Sequence, residues 1–235
     1  MRYEDLLHVL HEDNHLLALN KPAGWSSAHD ENSMCDLAKA YLKEKYSKPG
    51  NVFLGVVHRI DKPVSGVLVF ARTSKAAARL SEQFRDHAVV KTYWAVVKKP
   101  TRGNGWATGD SSSLEDWLSH DDDAHIVDVV NEGFPGAKLS KLHYTVKAEY
   151  EGQLLLELTP LTGRKHQLRV QLASRGAIIH GDRKYGSDAS FGNAIALHAR
   201  SITILHPTTS EPLTFTAPLP KPWRGRFAHL LKGFL

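Results

Sequence analysis

Apolar and polar residues alternate from Leu6 to Leu19 around Glu12-Asp13-Asn14, a period of two that predicts two short strands and a turn. Lys21-Pro22-Ala23-Gly24 breaks the second strand. The period then changes. Met34, Leu37, Ala38, Tyr41 and Leu42 recur three and four apart, predicting a helix over about 33–46 that Lys48-Pro49-Gly50 closes. Val52 to Val57 and Val64 to Ala71 read as apolar strands flanking a polar stretch with Arg59 and Asp61. Ser74 is placed to cap a helix with Ala77, Leu80, Ser81 and Phe84 as its buried stripe.

Lys91 to Val97 is again β-like. The Gly-, Ser- and Asp-rich stretch 101–137 follows, read as an irregular hairpin excursion carrying Trp106 and Trp117. Leu142 to Ala148 and Leu154 to Leu158 predict a strand pair about Glu151-Gly152. Thr162-Gly163 precede a predicted helix over about 164–175, with Leu168 and Leu172 on one side and Lys165 and Arg169 on another. Ala194 to Leu205 and Leu213 to Phe215 complete the strands, and the tail from Trp223 to Leu235 reads as a short helix. Hairpins with a few interspersed helices point to an α+β fold rather than a doubly wound sheet.

Charge sharpens this picture. The 235 residues carry a net +5, but the sign is segregated. Residues 104–137 hold no Lys or Arg and eight acids, including Asp121-Asp122-Asp123, so the rest of the chain is +13. A basic body of this kind suits a polyanionic partner, while an acidic run reads first as a solvated face. One cysteine, Cys35, leaves no intramolecular disulfide and no Cys-x-x-Cys site. No apolar run approaches the ~18 residues of a membrane span, and the acidic Met1-Arg2-Tyr3-Glu4-Asp5 start is unlike a signal peptide. A cytoplasmic protein is expected. The chain has no phosphate loop, Gly-x-Gly-x-x-Gly or Gly-x-Ser-x-Gly. His8, His11 and His15 have a spacing that a helix could use for a metal, but their segment alternates like a strand and divides them between faces.

Three segments could carry chemistry. Val57 to Val67 sets Asp61 between Arg59 and Lys62 just after a strand, with Pro63 and Gly66 shaping the turn. Neighbouring cations favour an ionised carboxylate, as a nucleophile requires; a structural ion pair would look the same. Thr162 to Arg169 is a cationic helix start suited to phosphate, or simply a solvated basic face. Lys91-Thr92-Tyr93-Trp94 puts aromatics on a strand, where a core role is the ordinary one.

Taken in order, these and other pieces resemble the RluA-type pseudouridine synthases. The matching residues are Leu19-Asn20-Lys21-Pro22-Ala23-Gly24, His58-Arg59-Ile60-Asp61 with Ser65-Gly66, and Lys91-Thr92-Tyr93. They continue with Gly163-Arg164-Lys165-His166-Gln167-Leu168-Arg169, Gly181-Asp182 with Tyr185-Gly186, Leu197-His198-Ala199, His206-Pro207 and Phe215-Thr216-Ala217-Pro218. The match runs from about residue 6 to 220. It implies a mixed, mostly antiparallel sheet in two halves around a central basic cleft, within a single catalytic domain over 1–235 carrying a variable acidic insert. It implies isomerisation of uridine to pseudouridine in ribosomal or transfer RNA.

By the same resemblance Asp61 is the nucleophile, attacking the anomeric carbon or carbon 6 of uracil. Tyr93 stacks on the target base, Arg169 pairs with the aspartate, and Arg59 helps extrude the uridine. His58, Lys62, Arg164, Lys165, His166 and Lys21 are candidate RNA contacts. The chemistry needs no cofactor and no metal, and a monomer without an obligatory protein partner is expected. Two departures stand out. Lys-Pro-Ala-Gly begins at residue 21, leaving no room before it for the small N-terminal RNA-binding domain of many relatives, and Val64 stands where threonine is usual. The alternatives are a catalytically silent RNA-binding or RNA-folding protein on the same scaffold, and an unrelated phosphate-handling enzyme. The intact set Asp61, Tyr93 and Arg169 argues against the first, and the missing phosphate loop against the second.

Overall fold

The computed structural model describes residues 7–28, 33–121 and 126–234. The opening pentapeptide and the Asp122-Asp123 part of the acidic run lie outside them. The fold is α+β with a mostly antiparallel sheet, as expected, and the chain forms two compact units.

Unit 1 holds the residues up to Lys91 together with His198–Pro220. Its strands are β1 (His8–Glu12), β2 (Leu16–Lys21), β3 (Gly55–Val56), β4 (Ser65–Ala71), β10 (Leu197–Leu205) and β11 (Pro212–Thr216), with helices α1 (Met34–Lys45) and α2 (Ser74–Arg85). The order is β1-β2-β4-β10, with β11 on β10 and β3 on β4. The β4–β10 pairing is parallel; the others are antiparallel. Every residue of β4 is buried, which explains its unbroken apolar run: a strand covered on both faces has no polar side. Val67, Val69 and Ala71 pack with Ala76 and Leu80 of α2. Leu68 and Phe70 pack with Met34, Ala38 and Leu42 of α1. Helix α1 starts on a reciprocal capping box between Ser33 and Asp36. The cap of α2 is Thr73, one residue before the expected Ser74: its side chain accepts from the Ala76 amide. The expected strand over 52–57 shortens to two residues.

Unit 2 holds Thr92–Leu197 and the segment from Lys221 onward. Strands β5 (Val90–Lys98), β6 (Ser111–Asp121), β7 (Ile126–Val130), β8 (Lys138–Tyr150) and β9 (Gln153–Pro160) lie in the order β5-β9-β8-β6-β7, all antiparallel. Helices α3 (Gln167–Ala173) and α4 (Lys221–Arg226) and a 3-10 turn at Arg183–Tyr185 complete it. Here the sequence reading needs correction. The acidic stretch is a hairpin, as expected, but not an irregular one, because β6 pairs with β7 at five registered positions and with β8 at eight. Its few apolar residues are enough to seat it: Leu118 and Val127 are buried against Val170 of α3. Nor is all its charge a solvated face. Asp116 accepts from Gln171 at 2.7 Å and pairs with Arg175 at 3.0 Å. No helix among the described residues is long and apolar enough to cross a membrane.

Candidate active site

The loop between β3 and β4 carries Asp61, and unit 1 holds that loop from several directions. The Val64 amide donates to the Asp61 carbonyl at 3.0 Å, closing a turn. The Ser27 hydroxyl donates to the Ile60 carbonyl at 2.8 Å while the Ile60 amide donates back to it at 3.1 Å. The Gly24 amide donates to the Lys62 carbonyl at 2.7 Å. Beyond the turn, Ser65 bonds Nδ1 of the buried His198 at 2.8 Å, and Gly66 sits against β10. A Cβ at Gly66, whose φ is +120°, would lie 2.2 Å from the Ala199 carbonyl oxygen. Only glycine fits there.

Lys21 is the centre of this support, and its expected place on an RNA-facing surface is wrong. Its side chain is fully buried. Its Nζ donates to the carbonyls of Trp25 at 2.7 Å, Pro22 at 3.0 Å and Lys62 at 3.2 Å, three acceptors for the three protons of an ammonium. Burial pulls its pKa down to about 7, and the charge of Asp61 opposes that pull. The lysine ties the β2 exit to the Asp61 loop from below.

His58 is likewise turned inward. Its Nε2 accepts the Val69 amide at 2.9 Å and its ring stacks on Phe84 at 4.9 Å. Burial first, and Lys91 second, lower its pKa to about 3. An imidazole that accepts a backbone hydrogen bond is neutral, so His58 offers RNA no charge. Arg59 and Lys62, on either side of Asp61, are exposed.

In unit 2, Tyr93 lies on β5 opposite Leu158 of β9, half-buried, on the face opposite buried Trp94. The segment before α3 departs from the predicted helix. Gln167, itself buried, accepts from the Thr162 hydroxyl at 2.7 Å and the Arg164 amide at 3.1 Å, and donates to the Lys141 carbonyl at 3.0 Å. That side chain holds 162–165 as a loop. Arg164 and Lys165 are exposed on it, and His166 follows in the left-handed region at φ 52°. Arg169 is no part of a solvated basic face, being 5% exposed. Its Nε and Nη2 each donate to Asp182 at 2.7 Å, a bidentate pair. Its guanidinium lies 5.0 Å from the centre of the Tyr185 ring.

Asp182 therefore positions Arg169, Gln167 positions Arg164, and Tyr185 lies against both Arg169 and His166; these supporting residues carried no expected role of their own. Among the described residues no cluster of His, Cys, Asp and Glu could hold a metal ion.

A model of the RNA pseudouridylate synthase family matches residues 15–174. A tRNA pseudouridine synthase C of Yersinia pestis is 34% identical over 242 residues, covering 94% of this chain and 89% of that protein. A ribosomal large subunit pseudouridine synthase C of Haemophilus ducreyi is 33% identical over 230 residues; the alignment takes in 90% of this chain and 65% of that one. Among solved structures, human RNA Pseudouridylate Synthase Domain Containing 4 matches with a TM-score of 0.75 at 26% identity, over 96% of this chain and 92% of that chain.

Proposed function

The chain belongs to the RNA pseudouridylate synthase family, as an RluA-type member and an isomerase, and from that premise we propose that Asp61 is the nucleophile with which it converts uridine to pseudouridine in ribosomal or transfer RNA. The reaction breaks the bond between N1 of uracil and the anomeric carbon and joins that carbon to C5. The C5 hydrogen leaves as a proton and N1 gains one, so no redox partner or hydrolytic water is consumed.

The observation that supports this assignment is how firmly Asp61 is held. Ser27, Lys21, Gly24 and the turn to Val64 fix the backbone on both sides of it. A carboxylate that must attack one carbon gains from a fixed approach, since alignment of reacting groups is a large part of catalytic power. The target base leaves its stack at ~ a few kcal/mol. Stacking on Tyr93 returns ~1–3 kcal/mol of that, and Arg59 fills the vacated gap. Arg169 supplies a fixed cation for the reaction, and Lys62, Arg164 and Lys165 engage backbone phosphates. The protein acts in the cytoplasm as a monomer.

The test is a comparison of pseudouridine maps in RNA from cells with and without the protein. Specific sites should vanish in its absence and return with the intact gene. Identical maps in ribosomal and transfer RNA would overturn the reading.

A further inference from the structure

The acidic hairpin β6–β7 meets helix α3 along its whole length. At the far end of α3, Asp116 holds Gln171 and Arg175; in the middle, Leu118 and Val127 cover Val170. At the near end the link runs through Tyr185. The Val127 amide donates to the Tyr185 hydroxyl at 3.2 Å, and that hydroxyl lies 2.9 Å from Nδ1 of His166. An oxygen that accepts from Val127 has its own proton available for His166. Strand β7 is the outer strand of the unit 2 order, so this amide finds its partner in a side chain instead of a neighbouring strand. The same Tyr185 ring lies under the Arg169 guanidinium, whose edge is held by Asp182. Edge and face together fix the plane of the cation.

We propose that the β6–β7 hairpin is a positioning element for the reaction, with Tyr185 as the positioning residue that passes its hold from Val127 to His166 and Arg169. The proposal rests on the reading of the protein given above. It makes the acidic insert part of the catalytic unit's rigidity, where its charge alone suggested a solvated face.

Tyr185→Phe removes only the hydroxyl and keeps the ring that packs near Leu118, Val127 and Val170. Its expected effect is a fall in kcat of about tenfold with KM for RNA within about twofold, since misplacing a reacting group costs rate without costing binding. The melting temperature should stay within a few degrees. Leu118→Ala, which loosens the hairpin on α3, should also lower kcat. In the double variant the two losses should be less than multiplicative, because both act through one contact. NMR provides a readout free of turnover: the Nε–H of Arg169 should exchange with solvent faster in Tyr185→Phe than in the parent. Full kcat with unchanged exchange in Tyr185→Phe, or losses that multiply in the double variant, would overturn the proposal. If the parent makes no pseudouridine in any RNA, the functional reading fails, and the exchange rate alone still decides whether Tyr185 holds Arg169.

Discussion

Replacing Lys21 by Met separates holding the fold from holding the catalytic loop. The substitution keeps an unbranched side chain of similar length and removes three hydrogen bonds, to Pro22, Trp25 and Lys62. Charged hydrogen bonds contribute about 1.5–3 kcal/mol each. Against this stands the cost of burying the ammonium. Its pKa is drawn from 10.5 to about 7, and at about 1.4 kcal/mol per unit that is roughly 5 kcal/mol. Three such bonds, about 4.5–9 kcal/mol together, set against that cost leave Lys21→Met about 0–4 kcal/mol less stable, chiefly because the Pro22 and Trp25 carbonyls lose this donor.

Turnover should suffer far more. The lysine shares with the Gly24 amide the task of joining the Lys62 carbonyl to the β2 exit, and a shift of Asp61 by about 1 Å costs on the order of 100-fold in rate. The assay is release of tritium from RNA labelled at C5 of uracil, run beside filter binding and thermal melting. We expect folded protein, near-parental RNA affinity and kcat down about 100-fold. A kcat within about threefold of the parent in folded Lys21→Met would refute the reasoning. The stability difference carries a pH signature. Lys21 binds its proton less tightly folded than unfolded, so its burial cost is full below about pH 7 and is relieved as pH rises toward 10.5. The parent should therefore gain stability on Lys21→Met over that window.

Acid should destabilise the protein earlier than its carboxylates alone require. His58 and His198 have pKa values lowered from 6.5 to about 3 and about 4, burial being the main cause in each. Their stabilising contribution is full above pH 6.5 and is lost as pH falls toward those values. Urea unfolding between pH 4 and 7 should show it, with a shallower fall in His58→Gln, whose amide oxygen can still accept from Val69; an unchanged slope would refute the assignment. Gly66→Ala should abolish soluble folded protein, because its Cβ meets the β10 backbone; a parental circular dichroism melt would contradict that. Asp116→Ala should lower stability by about 1–2 kcal/mol in urea unfolding, since it takes one acceptor from each of Arg175 and Gln171, which keep their bonds to the Gln171 and Ser140 carbonyls. A loss below about 0.5 kcal/mol would return Asp116 to the solvated face its sequence suggested.

The elements that periodicity can reach were legible: both long helices of unit 1, the β4 run and the β8–β9 pair. What escaped was decided by partners far away in sequence. Lys21 reads as one more cation until the fold puts the Lys62 carbonyl, 41 residues on, against its ammonium. The predicted start of α3 at 164 fails because the Gln167 side chain captures the Thr162 hydroxyl and the Arg164 amide, a competition that residue propensity does not contain. A hairpin over the acidic stretch was expected, but its regular pairing was hidden because three serines and its acids mask the spacing of Leu114 and Leu118. Arg169 and Asp182 stand 13 residues apart and their pairing needs the turn between them. The resemblance named Arg169 but not what holds it.

The claim at the centre of this account is that the Asp61 carboxylate attacks the nucleoside. Asp61→Asn replaces one oxygen with an amide nitrogen and leaves the loop's Lys21, Ser27 and Ser65 supports in place. Tritium release from C5-labelled RNA under single-turnover conditions, with the variant in excess, measures the step itself. The account predicts RNA binding close to that of the parent and no release above background. Turnover above a few per cent of the parent rate, from protein shown free of parent contamination, would contradict it.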